Sequence, residues 1–197
     1  MQSETPRKLS QVLQDEIDAL HQDDLTIGDA YERLGTRALG VFIAFISLPA
    51  LIPGISFFSG ALLLILSLQM CLGIKKTWMP KFIRRYELKK ATLQLALSKM
   101  LPNLRRLEKL IKPRFLFMVS SAGIRFTGII IALFSLIILF PLPFSNLIPS
   151  LSLLCISFGL MQKDGLAMLT GTLVGILYSV AFLWIVLSVF IHFAEMI

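Results

Sequence analysis

Long stretches without charged side chains constrain this sequence more than any other feature. Residues 38–74 and 126–162 contain no Asp, Glu, Lys or Arg, and residues 165–193 contain only His192 as a group that titrates near neutral pH. Each stretch is longer than the roughly 20 apolar residues that cross the hydrocarbon core of a bilayer. The composition agrees, because 56% of residues are apolar, 16% are charged and the mean hydropathy is +0.79. The sequence predicts an integral membrane protein.

The charges that the chain does carry are separated along it. Residues 1–37 hold four basic side chains against eight acidic ones, a net −4, whereas residues 75–114 hold thirteen basic against two acidic, a net +11. Basic loops are retained in the cytoplasm, so this pattern predicts a multi-pass protein of a bacterial inner membrane with a cytoplasmic central segment. The basic residues adjoin apolar spans, which favours anionic lipid headgroups over nucleic acid as their partner. The residues expected to contact headgroups are Lys75, Lys76, Lys81, Arg84, Arg85, Arg105 and Arg106.

These patterns divide the chain into five segments. Residues 1–36 form an acidic cytoplasmic tail, either as short helices that stay in solution or dock on the basic region, or as a partly disordered segment. Residues 75–115 form a basic connector in which apolar residues recur every three or four positions, which predicts an amphipathic helix at the membrane interface. Membrane repeats at 37–74 and 116–164 flank the connector. Residues 165–197 are predicted to form a C-terminal transmembrane helix.

The two membrane segments resemble each other in sequence. An offset of 88 residues aligns six identical pairs, and further along an offset of 90 aligns Ser67 with Ser157. Because the matches include Arg, Gly and Pro, which are not common filler of apolar helices, we infer an internal duplication. The residues Arg37, Gly40, Ala44, Ser47, Leu48 and Pro53 fall on Arg125, Gly128, Ala132, Ser135, Leu136 and Pro141.

Proline and glycine interrupt the middle of each repeat. A helix over residues 38–52 would run about 22 Å, which is short of the ~30 Å hydrocarbon core. Such half-helices predict an all-α fold with two re-entrant hairpins, whose elbows are buried in protein or line a wet cavity. The alternative is four ordinary spans with the elbows as periplasmic loops. The interrupting residues are Pro49, Pro53 and Gly54 in the first repeat and Pro141, Pro143 and Pro149 in the second.

Polar residues within or beside the apolar stretches are the candidates for a substrate pathway, because a polar group in a membrane is costly and therefore points to function. Asn146 lies between prolines in an uncharged run and is the strongest candidate. Arg37 and Arg125 open the two repeats, although an arginine at a helix end can also be a headgroup anchor. Gln69 and Asp164 complete the set.

The final segment carries a stripe of small residues at four-residue spacing, formed by Ala167, Gly171, Gly175 and Ser179. Small residues allow two helices to approach closely. The stripe can serve packing inside the monomer, which we favour, or the contact of a homodimer.

Catalytic and metal-binding patterns are missing from the sequence. His21 and His192 lie near opposite ends with no carboxylate at metal-ligand spacing, and Cys71 and Cys155 occur singly in apolar stretches. We therefore expect no enzymatic activity, no metal and no cofactor.

Several short motifs follow one another between residues 28 and 188, from a proline-rich elbow to a second elbow followed by a Lys-Asp-Gly turn. They include Trp78-Met79-Pro80, Arg84-Arg85, Leu104-Arg105-Arg106-Leu107-Glu108, Lys112-Pro113-Arg114, Pro141-Leu142-Pro143, Gly159-Leu160-Met161 and Lys163-Asp164-Gly165. In this combination the chain resembles the ExoD family of bacterial exopolysaccharide-synthesis membrane proteins. It departs from the family at Leu72-Gly73-Ile74-Lys75, where such proteins carry a longer Leu-Gly and Gly-Arg pattern. The resemblance implies a role in exopolysaccharide production or envelope homeostasis and assigns no catalytic residue.

Two functions fit these features. The first is a small transporter or flippase-like protein for an anionic or lipid-linked envelope solute, with the two elbows meeting at a shared site. The second is a scaffold for polysaccharide-synthesis machinery, which acts through the acidic tail and the final helix. The sequence leaves open whether the repeats are parallel or inverted, and on which side of the membrane the C-terminus lies.

Overall fold

A computed structural model of the chain describes residues 25–26, 35–74, 87–88, 115–140 and 145–195. Within these ranges the regular structure is almost entirely helical, which confirms the all-α prediction at the level of secondary structure. A 3₁₀ turn over Leu116–Val119 precedes the third helix. The helices are α1 (Thr36–Ala50), α2 (Ser56–Cys71), α3 (Ser121–Leu139), α4 (Leu147–Gln162) and α5 (Gly165–Glu195).

Several predicted features lie outside the described residues, among them the tail helices, the amphipathic helix of the connector, and Pro141 and Pro143. One contact between tail and connector is described. The two-residue strands β1 (Leu25–Thr26) and β2 (Glu87–Leu88) pair in antiparallel fashion. The expected headgroup residues Lys75, Lys76, Lys81, Arg84, Arg85, Arg105 and Arg106 also lie outside the described ranges.

Proline and glycine mark the connection between α1 and α2, residues 51–55, which we call the first elbow. Pro49 lies in the last turn of α1, and Pro53 cannot continue a helix because it has no backbone N–H. Gly54 has a φ of 95°, a conformation that glycine adopts readily because it has no Cβ. In contrast, Pro149 is buried in the first turn of α4, where a missing N–H leaves no helical bond unmade.

The first elbow is exposed in this structure, whereas a re-entrant hairpin predicts a buried elbow and the alternative of ordinary spans predicts a surface loop. Its turn satisfies much of its own backbone. The Ile52 N–H donates to the Pro49 carbonyl at 3.0 Å, and the Ser56 N–H donates to the Ile52 carbonyl at 3.1 Å. Because these groups are already bonded, the elbow needs less burial than a broken helix whose backbone is left open.

The first four helices pack side by side with antiparallel neighbours. α1 packs chiefly against α4, and α2 packs chiefly against α3. The start of α1, at Gly40, contacts Ser157 near the end of α4, and the start of α2, at Gly60, contacts Ser135 near the end of α3. A short elbow makes α1 and α2 antiparallel as well. Consequently α1 and α3 run in the same direction.

This arrangement gives the bundle two distinct ends. The elbow end holds the first elbow, the end of α3 and the start of α4. The arginine end holds the starts of α1 and α3, where Arg37 and Arg125 lie, and the turn between α4 and α5. Between the ends is an apolar core of fully buried side chains. These are Ile43, Leu63, Ile131, Phe134, Ile138, Leu153, Ile156, Leu160 and Met168.

Among the described helices, α3 and residues 165–189 of α5 are long and apolar enough to cross a membrane. In the most apolar 18-residue segment of α3, 50% of the segment is buried inside the protein. In the corresponding segment of α5, only 17% is buried. α5 packs along α4 and then continues for 31 residues in all, or about 46 Å. With 15 or 16 residues, α1, α2 and α4 extend about 22–24 Å.

Candidate functional site

Buried uncharged polar side chains gather at the elbow end of the bundle. Ser145 and Asn146 precede α4, and both are buried. The Ser145 hydroxyl lies 2.7 Å from Asn146 Oδ1 and 3.0 Å from the Phe140 carbonyl oxygen, so one donor faces two acceptors. Further buried hydroxyls come from the early turns of α2 and α4 and the later turns of α1 and α3. These residues, together with Ser145 and Asn146, form what we call the elbow cluster. They are Ser47, Ser56, Ser59, Ser135, Ser150 and Ser152.

The hydroxyls of this elbow cluster differ in whether a partner is present. Ser47 and Ser135 each donate to the carbonyl four residues back in their own helix, at 2.6 Å. Such a bond satisfies the group without any ligand. Ser150 and Ser152 are 0% and 3% exposed, and among the described residues their hydroxyls have no hydrogen-bond partner. A buried hydroxyl without a partner costs about 1–3 kcal/mol, so these two positions favour a polar ligand group or water beside them.

The structure does not bring the five predicted pathway residues together. Asn146 lies at the elbow end, whereas Arg37, Gln69, Arg125 and Asp164 all lie at the arginine end. Arg37, Gln69 and Asp164 are buried there, and Arg125 is exposed. A pathway through all five would therefore run the length of the bundle.

Asp164 has a clear structural task at the start of α5. Its Oδ1 accepts hydrogen bonds from the backbone N–H of Leu166 at 2.9 Å and of Ala167 at 3.4 Å. A carboxylate in this position satisfies otherwise open N–H groups and faces the positive end of the helix dipole. The preceding Lys163 adopts a left-handed conformation with a φ of 57° that ends α4.

Residues that the sequence alignment pairs also make matching contacts. A Cβ built on Gly40 would lie 2.6 Å from the Ser157 carbonyl oxygen, and one built on Gly128 would lie 3.0 Å from the Ser67 carbonyl oxygen. Both serine hydroxyls donate to the carbonyl three residues back, at 2.7 Å. Each glycine thus lets its helix approach the backbone of the neighbouring helix at an equivalent place.

The ends of α2 and α4 also match. The Ile74 N–H donates to the Gln69 carbonyl at 3.1 Å, and the Asp164 N–H donates to the Gly159 carbonyl at 2.8 Å. These two bonds are related by the same offset of 90 residues and are the six-to-one bonds of a Schellman cap. The two hairpins therefore share the position of their close glycine contacts and the type of cap at the C-terminal end of their second helix.

The small-residue stripe of α5 faces helices of the same chain. A Cβ on Gly171 would lie 2.8 Å from the Ser152 carbonyl oxygen, and one on Gly175 would overlap the outer edge of the Phe134 ring. Ser179 is buried and donates to the Gly175 carbonyl at 2.6 Å. The Ala167 carbonyl accepts a hydrogen bond from Cys155 at 3.3 Å.

Sequence reasoning singled out Asn146 but missed the hydroxyls around it. Ser47 and Ser135 entered only as matched positions of the repeat, and Ser150 and Ser152 were overlooked. The available signal was the recurrence of serine inside runs that carry no charge. Within the described ranges, no group of three or more His, Cys, Asp or Glu side chains could hold a metal ion.

Comparison with known proteins gives the chain a family. Residues 9–184 match the family described as "Exopolysaccharide synthesis, ExoD". The chain is 30% identical to the protein ExoD of Rhizobium meliloti over 176 residues, covering 85% of this chain and 73% of that protein. It is also 30% identical to an uncharacterized protein of Synechocystis over 149 residues, covering 73% of this chain and 68% of that protein. No solved structure matches. The chain belongs to the ExoD family of exopolysaccharide-synthesis proteins.

Proposed function

We propose that this protein is a small inner-membrane transporter or flippase-like protein for an anionic or lipid-linked envelope solute used in exopolysaccharide synthesis. The observation that carries the proposal is the elbow cluster, in which uncharged hydroxyl and amide groups are buried and two hydroxyls, those of Ser150 and Ser152, have no hydrogen-bond partner among the described residues. Hydroxyl and amide groups suit a ligand rich in hydroxyls, such as a sugar, because they donate and accept hydrogen bonds without requiring charge. We expect no chemical step on the solute.

Orientation follows from where the basic connector attaches. Residues 75–114 connect the end of α2 to the 3₁₀ turn before α3 in the sequence, and both of these ends lie at the arginine end. Lys163 lies at the same end. Positive loops stay in the cytoplasm, which makes the arginine end cytoplasmic and the elbow end periplasmic. In this arrangement the four helices of the two hairpins and α5 all cross or enter the bilayer.

The proposal includes an internal duplication with parallel repeats. It is supported by the equivalent contacts of Gly40 and Gly128, and by the equivalent caps of α2 and α4. Because α1 and α3 run in the same direction, the axis that relates the hairpins is parallel to the helices. Both repeats then present their elbows to one side of the membrane, as parallel repeats of transporters do.

The site is tested by complementation of an exopolysaccharide-deficient mutant with Asn146→Leu, and with Arg37→Ala and Arg125→Ala. Asn146→Leu removes the amide beside the Ser145 hydroxyl and should abolish most activity at normal membrane abundance. Thr170→Leu is the matched control, since it replaces an exposed polar residue of α5 by leucine. Deletion of residues 1–25 should leave partial activity. Full activity in all three point variants would reject the transporter reading.

The orientation is tested separately with reporter fusions. Alkaline phosphatase fused after Ile197 should be active, and green fluorescent protein fused there should be dark, because α5 starts at the cytoplasmic end. A fluorescent fusion without phosphatase activity would contradict the parallel arrangement.

A scaffold for synthesis machinery is the second candidate, and α5 is the observation that favours it. Beyond residue 180, several large apolar side chains are more than half exposed, among them Leu183, Trp184 and Leu187. A partner helix could cover this surface as well as lipid could. The scaffold predicts that Trp184→Ala and deletion of residues 1–25 reduce polysaccharide, while Asn146→Leu does not.

A further inference from the structure

Two helix–helix interfaces join the hairpins, and the repeat makes them equivalent. In the α1–α4 interface, a Cβ on Gly40 would lie 2.6 Å from the Ser157 carbonyl oxygen. In the α2–α3 interface, a Cβ on Gly128 would lie 3.0 Å from the Ser67 carbonyl oxygen. The offsets of 88 and 90 residues relate these two contacts to each other. The two interfaces can therefore be compared position by position.

The α1–α4 interface continues toward the elbow end with a pair of buried serines. Residues seven positions apart are separated by about two turns and lie on the same face of a helix. In α1, Ser47 follows Gly40 by seven residues. In the antiparallel α4, Ser150 precedes Ser157 by seven residues, so Ser150 and Ser47 lie at the same level of the interface. Both are 0% exposed, as expected for residues that face a neighbouring helix.

Gly60 and Ser135 occupy the equivalent level of the α2–α3 interface. A Cβ built on Gly60 would lie 3.2 Å from the Ser135 carbonyl oxygen and 3.1 Å from the backbone nitrogen of Leu139. The offset of 88 pairs Ser47 with Ser135, and the offset of 90 pairs Gly60 with Ser150. Of the four matched positions in the two interfaces, the one that holds Ser150 and Gly60 alone differs in residue type.

The Ser150 hydroxyl is thus the polar group that distinguishes the α1–α4 interface. The serines at the other matched positions each donate to a carbonyl of their own helix, at 2.6 or 2.7 Å. The Ser150 hydroxyl has no hydrogen-bond partner within the described part of the chain. A buried hydroxyl without a partner costs about 1–3 kcal/mol, whereas a glycine satisfies packing at the matched position of α2. Packing therefore does not account for a serine at position 150, and a partner from outside the bundle does.

Three of the five predicted pathway residues lie at the ends of the same two helices. Arg37 lies in the first turn of α1, Asp164 follows the end of α4, and Asn146 precedes its start. All three side chains are buried. The α1–α4 interface thus has buried polar groups at both ends, with Ser150 between them. The other two predicted residues, on α2 and α3, are Gln69 and Arg125.

We propose that the solute passes between α1 and α4, and that the Ser150 hydroxyl forms a hydrogen bond with a hydroxyl group of the solute. This inference rests on the proposed transport function and narrows it to one of two equivalent interfaces. A serine hydroxyl donates and accepts without carrying charge, so it suits a polyhydroxylated group such as a sugar. A solute between the helices supplies the partner that Ser150 lacks, which offsets part of the cost of separating α1 from α4. The α2–α3 interface offers no such gain, because Gly60 has no hydroxyl.

Thiol labelling in membranes tests the route without knowledge of the solute. The full-length protein has both native cysteines replaced by alanine and carries one serine-to-cysteine change at a time. The probe is the water-soluble reagent 2-sulfonatoethyl methanethiosulfonate. Ser47→Cys is matched with Ser135→Cys, and Ser157→Cys is matched with Ser67→Cys. All four serines are 0% exposed, so a bundle that stays closed would protect both members of each pair equally.

The proteins with Ser47→Cys and Ser157→Cys should react at least about tenfold faster than those with Ser135→Cys and Ser67→Cys, because labelling of a buried thiol follows the population of the open state. Ser150→Cys should react as fast as Ser47→Cys. Equal rates within both pairs, faster rates in the α2–α3 interface, or no reaction at any position would each overturn the proposal.

The role of the Ser150 hydroxyl is tested by complementation with Ser150→Ala. The variant should keep its stability but lower exopolysaccharide yield by about two- to tenfold, the factor expected for one lost hydrogen bond. Ser67→Ala is the matched control, because its hydroxyl is also buried but is bonded within its own helix, and its yield should stay within about twofold of wild type. Full yield with Ser150→Ala, or an equal loss with Ser67→Ala, would overturn the contact between Ser150 and the solute.

Failure of this route and failure of the proposed function give different results. Equal labelling of the matched pairs, together with loss of activity in Asn146→Leu, would reject the route between α1 and α4 and keep transport. Faster labelling of the α1–α4 interface, together with full activity in the Asn146, Arg37 and Arg125 variants, would reject transport although the interface opens.

Discussion

The two helical hairpins agree in their packing and differ at their ends. Gly40 and Gly128 approach the equivalent serines of the opposite hairpin, and the helix caps at Gly73 and Lys163 use the same backbone bonds. At the arginine end, however, Gly73 leaves room for Arg125, which is exposed, while Arg37 is buried at 7% exposure. The shared features hold the bundle together. The features that are not shared make the two hairpins different at the arginine end, and a ligand could therefore bind one hairpin and not the other.

The largest expected effect on stability is at Gly40 and Gly128, where the helices of the two hairpins approach each other most closely. Gly40→Ala and Gly128→Ala each place a Cβ within about 3 Å of a neighbouring helix backbone, so each should lower the free energy of unfolding by about 1–3 kcal/mol. Unfolding by sodium dodecyl sulfate titration in detergent micelles would measure both. Ala181→Leu on the exposed face of α5 is the control. A loss at only one glycine would break the equivalence of the hairpins.

Substitutions at the C-terminal caps of α2 and α4 should change stability in opposite directions. Lys163→Gly relieves a left-handed conformation in a residue with a side chain and should stabilise the protein by about 1 kcal/mol. Gly73→Ala introduces the same strain, at a φ of 65°, and should destabilise it by at least that amount. The same titration compares them. If both changes shift stability in one direction, the left-handed caps are not equivalent.

The start of α5 provides a smaller contrast between charge and hydrogen bonding. Asp164→Ala removes the acceptor for two N–H groups and should cost about 1 kcal/mol, whereas Asp164→Asn keeps an acceptor and should cost less than half of that. Exopolysaccharide yield should follow stability in both variants. Loss of yield in a stable Asp164→Asn protein would place the carboxylate in the pathway instead.

The smallest effect is expected at the paired serines. Ser47→Ala and Ser135→Ala each remove a hydroxyl bonded within its own helix, so each should change the free energy of unfolding by less than about 0.5 kcal/mol. Ser150→Ala should be neutral or stabilising, because it removes a buried hydroxyl without a partner among the described residues. A larger loss at Ser150 than at Ser47 would show that its hydroxyl has a partner in the membrane.

The sequence carried enough information to predict a helical protein and its family. Charge-free runs are long and can be read directly from the composition of each segment. Which residues share an end was less accessible, because it depends on whether the hairpins run parallel, and the charges of Lys163 and Asp164 cancel. Sequence alone left open whether the first elbow is buried or an exposed loop, because the bonds from Ile52 to Pro49 and from Ser56 to Ile52 are a property of the turn and leave no trace in composition.

The unequal helix lengths have a consequence for the surrounding lipid. α1, α2 and α4 are about 6–8 Å shorter than the ~30 Å hydrocarbon core, whereas α5 is longer than it. A membrane accommodates such hydrophobic mismatch by thinning beside the short helices and by tilting the long one. In the proposed orientation, the bilayer would be thinnest beside the short helices of the two hairpins, and headgroups at the elbow end would lie nearer to Asn146 than the length of α5 suggests. Lipids with shorter acyl chains should therefore gather around the two hairpins.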